Sequence, residues 1–232
     1  VIEGDLIEQW IYFDDANNLV INKHKVAEYI DSNAEKYETY DIVREFESTL
    51  RGTVEVLPGT LGWSIDSQET AAILANHIVS GAEGVVEPVV NGTGYGSGDP
   101  NSVGDDYIEI DLQNQHMWLY KDGKLVMETP IVSGFAGSSE TIPGAYAVWS
   151  MDRNATLVGT NVQLNTSYRQ PVSWWIPFDD TGQGIHDANW QGSFGGNAYT
   201  YAGSQGCINV PPHVMADFFE EVELGMPVMI YN

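Results

Sequence analysis

Residues 107–134 read YIEIDLQNQHMWLYKDGKLVMETPIVSG. Ile108, Ile110 and Leu112 alternate with Glu109 and Asp111, the period of two expected of a β-strand with one face toward a core. HMWLY (116–120) is a second apolar run, and Asp122-Gly123 separates it from LVMETPIVSG (125–134). An Asp-Gly pair between two apolar runs is a strong hairpin signal, because both turn positions need positive φ. The same habit continues in YAVWSM (146–151), VQLNTSY (162–168), SWWIPF (173–178) and PVMIYN (227–232). Short β-runs with turn residues at short intervals predict a mainly β domain, a sandwich or a barrel. One helix interrupts it. Pro211-Pro212 favours a start, Val214, Met215, Phe218, Phe219 and Val222 share a face, and Gly225 ends it.

Toward the N-terminus the character changes. NGTGYGSGDPNSVGDD (91–106) has no apolar periodicity and reads as a linker. Upstream, Asn22 is placed to cap a helix carrying Val26, Tyr29 and Ile30. Asp66 with Glu69 three residues on opens a second, with Ile73, Leu74, His77 and Ile78 on one face and Gly81 past its end. IYFDDANNLVIN (11–22) and TVEVLPG (53–59) read as strands. The expected organisation is an α+β domain over residues 1–104, its Gly-rich linker included, followed by a mainly β domain over 105–232.

Nine Lys and Arg stand against 33 Asp and Glu, a net charge of −24. That field repels phosphates and anionic lipid heads, which excludes nucleic acid as a partner class. No apolar run approaches the ~18 residues of a membrane span. The chain opens on VIEGDLIEQW, without Met or a signal peptide. This reads as a processed form whose N-terminal membrane anchor lies outside the sequence.

The only cysteine, Cys207, sits in SQGCINV (204–210), in a turn just before the C-terminal helix. Gly206 lets the backbone bend sharply, and the amides of 205–207 can converge on one point, as an oxyanion site requires. A cysteine nucleophile also needs a base. His24 and His77 lie on N-terminal helices, His116 in a strand and His213 at a helix start. His186 stands in GQGIHDANWQGSFGGN (182–197), read as a flexible loop with Asp187 next to it and Trp190 nearby. An ion pair between the two would hold Cys207 ionised below the ordinary thiol pKa of about 8.5. On these grounds a structural cysteine and a catalytic one both stay open. No CxxC, HxxH or HExxH spacing supports a metal, no GxSxG supports a serine nucleophile, and no cofactor motif is present.

A histidine in a Gly-flanked loop, then about twenty residues, then Ser204-x-Gly206-Cys207-Ile208-Asn209, resembles the L,D-transpeptidases of bacterial cell-wall synthesis (the YkuD fold). The resemblance covers about residues 105–232 and includes the strand run quoted above and TIPGAYAV (141–148). The N-terminal region resembles the accessory domain of Gram-positive members. The resemblance implies a β-sandwich-like catalytic domain with the cysteine and histidine at one end of a cleft. Cys207 would attack the carbonyl of the L-centre of the third stem residue in a tetrapeptide stem. D-alanine would leave, and the acyl group would pass to a side-chain amine, making a 3→3 cross-link. His186 would move the protons, with Asp187 as its orienting neighbour through main chain or carboxylate. Ser204 and Asn209 match motif positions, and Tyr168 and Trp190 match aromatic positions near the substrate pocket. Carbapenems would acylate Cys207, and the chain would work on the extracellular face of the envelope. Two alternatives use the same residues: an L,D-carboxypeptidase with water as acceptor, and a cell-wall binding protein with a decayed site. One departure stands out. The family usually reads S-H-G-C, and here Gln205 replaces the histidine.

Overall fold

The structure is a computed structural model that describes residues 2–93 and 103–232. Most of the linker expected over 91–106 lies outside the described residues. The upstream elements are α1 (Gly4–Glu8), β1 (Ile11–Phe13), β2 (Leu19–Ile21), α2 (Lys23–Ala34), β3 (Arg44–Ser48), β4 (Gly52–Val56), β5 (Gly62–Ile65), α3 (Ser67–Val79) and β6 (Val90–Thr93). Downstream follow β7 (Tyr107–Asp111), β8 (His116–Lys121), β9 (Lys124–Pro130), β10 (Gly144–Ala147), β11 (Asp152–Asn161), β12 (Thr166–Pro177), β13 (Gly184–Asp187), α4 (Tyr199–Ala202), β14 (Ile208–Val210), α5 (Pro212–Glu221) and β15 (Pro227–Tyr231). The chain divides into two compact units, Val1–Thr39 with Trp63–Gly92, and Tyr40–Gly62 with Thr93–Asn232.

In the first unit the caps sit where the sequence puts them. The Asn22 side chain accepts from Lys25 N and that of Asp66 from Glu69 N, each satisfying one orphan donor of a first helical turn. Trp10, Ile21, Val26, Ala27, Ala71, Leu74 and Ala75 form its core. The buried face of α3 is Thr70, Ala71, Leu74 and Ala75, whereas Ile73 is exposed. The face expected through Ile73 and His77 is therefore rotated. Small residues let the helix approach its neighbours closely on the Ala side, and the larger Ile73 stays outside.

The second unit holds two larger sheets besides the β3–β4 hairpin. One runs β10-β15-β7-β8-β9, the other β11-β12-β13-β14. Ile108, Ile110, Leu119, Ile176, Ile185, Ile208, Met215, Phe218 and Ile230 belong to the large core they share with α5. Asp122 and Gly123 both take positive φ, 50° and 68°, as the hairpin signal requires. VQLNTSY is not one strand. It crosses the tip of the long β11–β12 hairpin, with Asn165 at φ 50°. β11 went unseen because its side chains are largely exposed and polar, which leaves no apolar alternation to read.

The other face of β7 and β15 is also covered. The β3–β4 hairpin brings Phe46 and Val56 onto Ala145, Ala147, Met229 and Tyr231. Glu109 and Asp111, the polar half of the alternation, are fully buried. Burying a carboxylate is costly unless donors replace water. Glu109 accepts from Thr49 N at 2.8 Å, from Thr49 Oγ1 at 2.5 Å and from the Tyr231 hydroxyl at 2.5 Å. Asp111 accepts from Asn114 N and Nδ2 and lies 3.5 Å from Arg51 Nη1. A cut after residue 104 assigns Tyr40–Gly62 to the first domain, but by packing this segment belongs with the second unit.

Candidate active site

The site is built on β13 and β14, two short paired strands at one end of the smaller sheet. They run parallel, with Ile185 opposite Ile208 and His186 opposite Asn209. Paired residues share a face, and so does a residue two positions along a strand. Cys207, two before Asn209, therefore lies on the His186 side. Both side chains line a cleft of about 560 Å³. His186 is not on a flexible loop: it is 3 % exposed within a strand whose other neighbour is β12, where Trp175 opposes it.

The glycines around His186 read as flexibility, but Gly184, two residues before it, serves close approach. A Cβ on Gly184 would lie 2.5 Å from the Trp175 ring and 2.7 Å from the Ile176 carbonyl oxygen. Trp175 and Trp190 flank the imidazole at centroid distances of 5.9 and 5.7 Å.

The imidazole is oriented by backbone. His186 Nδ1 lies 2.9 Å from the Asp187 carbonyl oxygen. A carbonyl oxygen only accepts, so Nδ1 carries the hydrogen and, in the neutral ring, Nε2 keeps its lone pair. The Asp187 carboxylate has a separate task. Its Oδ1 accepts from Ser173 N at 2.7 Å and Trp174 N at 3.0 Å. This tie falls where the β11–β12 register passes Ser173 without a partner and Asn154 takes φ 56°. Asp187 thus orients His186 through its main chain, and its side chain anchors β12.

The cysteine turn is closed by Ser204. Its hydroxyl donates to the Cys207 carbonyl at 2.5 Å and accepts from Gly206 N at 3.0 Å. Gly206 takes φ 117°, and its carbonyl accepts from Thr141 Oγ1 at 2.7 Å. The Gly206 N–H is therefore committed to Ser204. Gly206 shapes the turn, and an oxyanion donor has to come from elsewhere.

Cys207 is 8 % exposed, and its Sγ lies 3.8 Å from the Gly182 carbonyl oxygen. Burial pushes the thiol up to about 12, with the Gly184 N–H opposing the shift and the Asp179 charge adding to it. Burial likewise holds the His186 imidazole below its ordinary value, against the pull of its Asp187 hydrogen bond and the Asp187 charge. Both directions favour a neutral thiol and a neutral imidazole at rest over the ion pair considered from the sequence.

Asn209 is 2 % exposed. Its Nδ2 donates to Gln191 Oε1 at 3.0 Å, and its Oδ1 is buried with no partner among the described residues. Tyr168 lines the cleft, and burial together with the nearby Cys207 raises its phenol. Trp190 lines it at 45 % exposure. The sequence reading missed Asp179, Gln163 and Gln191. Asp179 accepts from Thr181 N and Oγ1 and from Gln183 N and Nε2, and so fixes the loop that carries Gly182 and Gly184 past the sulfur. His213 is exposed at the start of α5, and His24 pairs with Glu28 on the surface. Among the described residues no group of three His, Cys, Asp or Glu side chains is placed to hold a metal ion.

A thiol and a backbone-anchored imidazole lining one cleft can carry acyl transfer through a thioester. Residues 105–230 match the family description "L,D-transpeptidase catalytic domain", and residues 12–87 match "putative peptidoglycan binding domain". The chain belongs to the L,D-transpeptidase (YkuD) family. The Enterococcus faecium L,D-transpeptidase, solved as a cysteine-to-serine mutant, is 40 % identical, with a TM-score of 0.79 over 99 % of this chain and 90 % of that one. Its catalytic domain acylated by ertapenem is 51 % identical over 55 % of this chain and 97 % of that one, with a TM-score of 0.50. L,D-transpeptidase 2 of Mycobacterium tuberculosis is 28 % identical over 136 residues, 56 % of this chain, and the chain spans 32 % of that protein's length.

Proposed function

We propose that the chain is a peptidoglycan L,D-transpeptidase in which Cys207 is the nucleophile and His186 the proton carrier. The observation that carries this is the placement of the lone thiol and a backbone-anchored imidazole on paired strands at the base of one cleft. His186 Nε2 takes the thiol proton as the sulfur bonds to the carbonyl carbon of the third stem residue, an L-centre. The tetrahedral oxyanion is met by the Cys207 N–H, the donor the turn leaves once the Gly206 N–H is spent on Ser204. The C–N bond to D-alanine breaks, His186 returns its proton to the leaving amine, and a thioester remains. A side-chain amine of a neighbouring stem then attacks the thioester and gives a proton to His186. As the thioester collapses, that proton restores the thiol and a 3→3 amide is formed.

The neutral resting pair fits this sequence, because the thiolate is wanted only when a carbonyl is present to receive it. The unpaired Asn209 Oδ1 is an acceptor for a stem N–H, and Tyr168 and Trp190 wall the donor. Carbapenems are substrates of the first half-reaction: the thiol opens the lactam C–N bond and is held as an acyl-enzyme. We place the protein on the extracellular side of the envelope, where both stems are found.

The test is incubation with a tetrapeptide stem and mass analysis of protein and products. The expected result is loss of D-alanine, a covalent adduct on Cys207 and a cross-linked dimer, with a pentapeptide ending in two D-alanines left untouched. Release of D-alanine without dimer would assign water as the acceptor and make the protein an L,D-carboxypeptidase. No adduct with stem or carbapenem would defeat the proposal.

A further inference from the structure

Gln205 lies inside the cysteine turn, between Ser204 and Gly206, at the position where the family resemblance expects histidine. Both ends of its amide are engaged. Oε1 accepts from Val162 N at 2.9 Å and from Ser139 Oγ at 3.2 Å, while Nε2 donates to Gln163 Oε1 at 2.7 Å. Gln163 Nε2 donates in turn to Ser138 Oγ at 2.7 Å and to Ser139 Oγ at 3.0 Å. Val162 and Gln163 are the tip of the β11–β12 hairpin, and Ser138 and Ser139 belong to the loop after β9. One neutral network therefore joins three separate segments on the rim of the cleft. Asn161, Gln163, Leu164 and Gln205 all line that cleft.

We propose that Gln205 is a positioning residue that latches the β11–β12 tip to the cysteine turn and so sets how the stem peptide enters the cleft. The proposal rests on the acyl-transfer reading for its substrate but not for the latch itself. The chemistry of the side chain decides the case. A primary amide offers an acceptor to the Val162 N–H and a donor to Gln163 at the same time, at every pH where the protein is folded. A neutral imidazole offers one of each, but a protonated one has two donors and no acceptor. A histidine here would release Val162 as the pH falls through about 6.5. Glutamine makes the closed rim independent of pH.

The experiment uses the whole protein with Gln205→Ala and Gln205→His, both read by hydrogen exchange at the Val162 amide and by kcat and KM for D-alanine release from a tetrapeptide stem. Gln205→Ala is expected to speed exchange at Val162 tenfold or more, to leave the Ile185 and Ile208 amides unchanged, and to raise KM several-fold with kcat within about twofold. Gln205→His is expected to behave like the parent at pH 8 and like Gln205→Ala at pH 5.5, while the parent stays flat in KM between the two. Unchanged exchange at Val162 in Gln205→Ala overturns the latch. So does faster exchange with an unchanged KM, because the tip would then position nothing. If no form of the protein releases D-alanine while Val162 still follows the expected pattern, the latch stands and the acyl-transfer reading is the one that fails.

Discussion

The base and the rim of the cleft are built by different means. At the base, His186, Asp187, Cys207 and Asn209 are each less than a tenth exposed. They are placed by strand pairing, with His186 oriented by the Asp187 carbonyl and the Cys207 turn closed by one buried side-chain contact, the Ser204 hydroxyl. At the rim, Val162, Leu164, Trp190 and Tyr201 are largely exposed, and the hairpin tip is held by side-chain amides. Backbone pairing survives most single substitutions, whereas a side-chain contact is lost with one. The chemistry is thus set by the fold, and access is set by residues that can be exchanged without rebuilding it.

The largest expected effect tests that division directly. His186→Ala removes the only ring at the base that can take the thiol proton, and a positioned general base contributes roughly 10²–10⁴-fold. The rate of acyl-enzyme formation on Cys207, followed by intact mass with a carbapenem, should fall by about that factor. Trp190→Ala removes one exposed wall and should change the same rate only several-fold. Comparable losses from the two variants would dissolve the distinction between base and rim.

A middle-sized effect separates the two tasks of Asp187. Asp187→Ala strips the acceptor from the Ser173 and Trp174 amides. A fully buried donor left unsatisfied costs about 1–3 kcal/mol, and the low end applies because Ser173 is exposed and Trp174 half-buried. Denaturant unfolding should show a loss of about 2 kcal/mol. The carbonyl that orients His186 is main chain and survives the substitution. Acylation at low temperature, where the variant is still folded, should therefore drop less than tenfold. A rim substitution, Gln163→Ala, should move stability by no more than about 0.5 kcal/mol.

What could be read from the sequence follows the same line between apolar pattern and polar detail. The alternation in 107–112, the Asp122-Gly123 turn, both N-caps and the α5 stripe are local signals, and each is present as read. Family membership was legible from Ser204-x-Gly206-Cys207-Ile208-Asn209, a motif whose hydroxyl and glycine close the turn that presents the thiol. Three things were hidden. The coverage of Glu109 and Asp111 depends on a hairpin some sixty residues earlier, which no local window contains. The strand around His186 looks like a loop because glycine reads as flexibility, whereas Gly184 is there to admit Trp175. The charge state of Cys207 depends on burial by distant segments, which no local window contains.

The smallest effect is also the one that sharpens the base most. A buried thiol whose pKa is raised in the folded protein stays protonated while the unfolded chain ionises. The unfolded state then loses its proton first, and stability falls as pH rises above the unfolded value. With a folded pKa of about 12 against the ordinary thiol value of about 8.5, the contribution is near nil at pH 7 and grows to a loss of roughly 1–2 kcal/mol by pH 10. Several buried tyrosines, Tyr146 and Tyr231 among them, titrate in the same direction and would mask it in a single curve. The difference between the parent and Cys207→Ala cancels them, since their surroundings are otherwise shared. Unfolding free energies of the two proteins, measured from pH 7 to 10, should therefore diverge above pH 9, with the parent losing more. A thiolate–imidazolium pair would remove that fall: the imidazolium keeps the proton the thiol gave up, so above the free imidazole pKa of about 6.5 the folded and unfolded chains hold the same number of protons until the pair itself titrates. Parent and variant curves that run parallel above pH 7 would show that the base holds a preformed ion pair and that the proton moves before the substrate arrives.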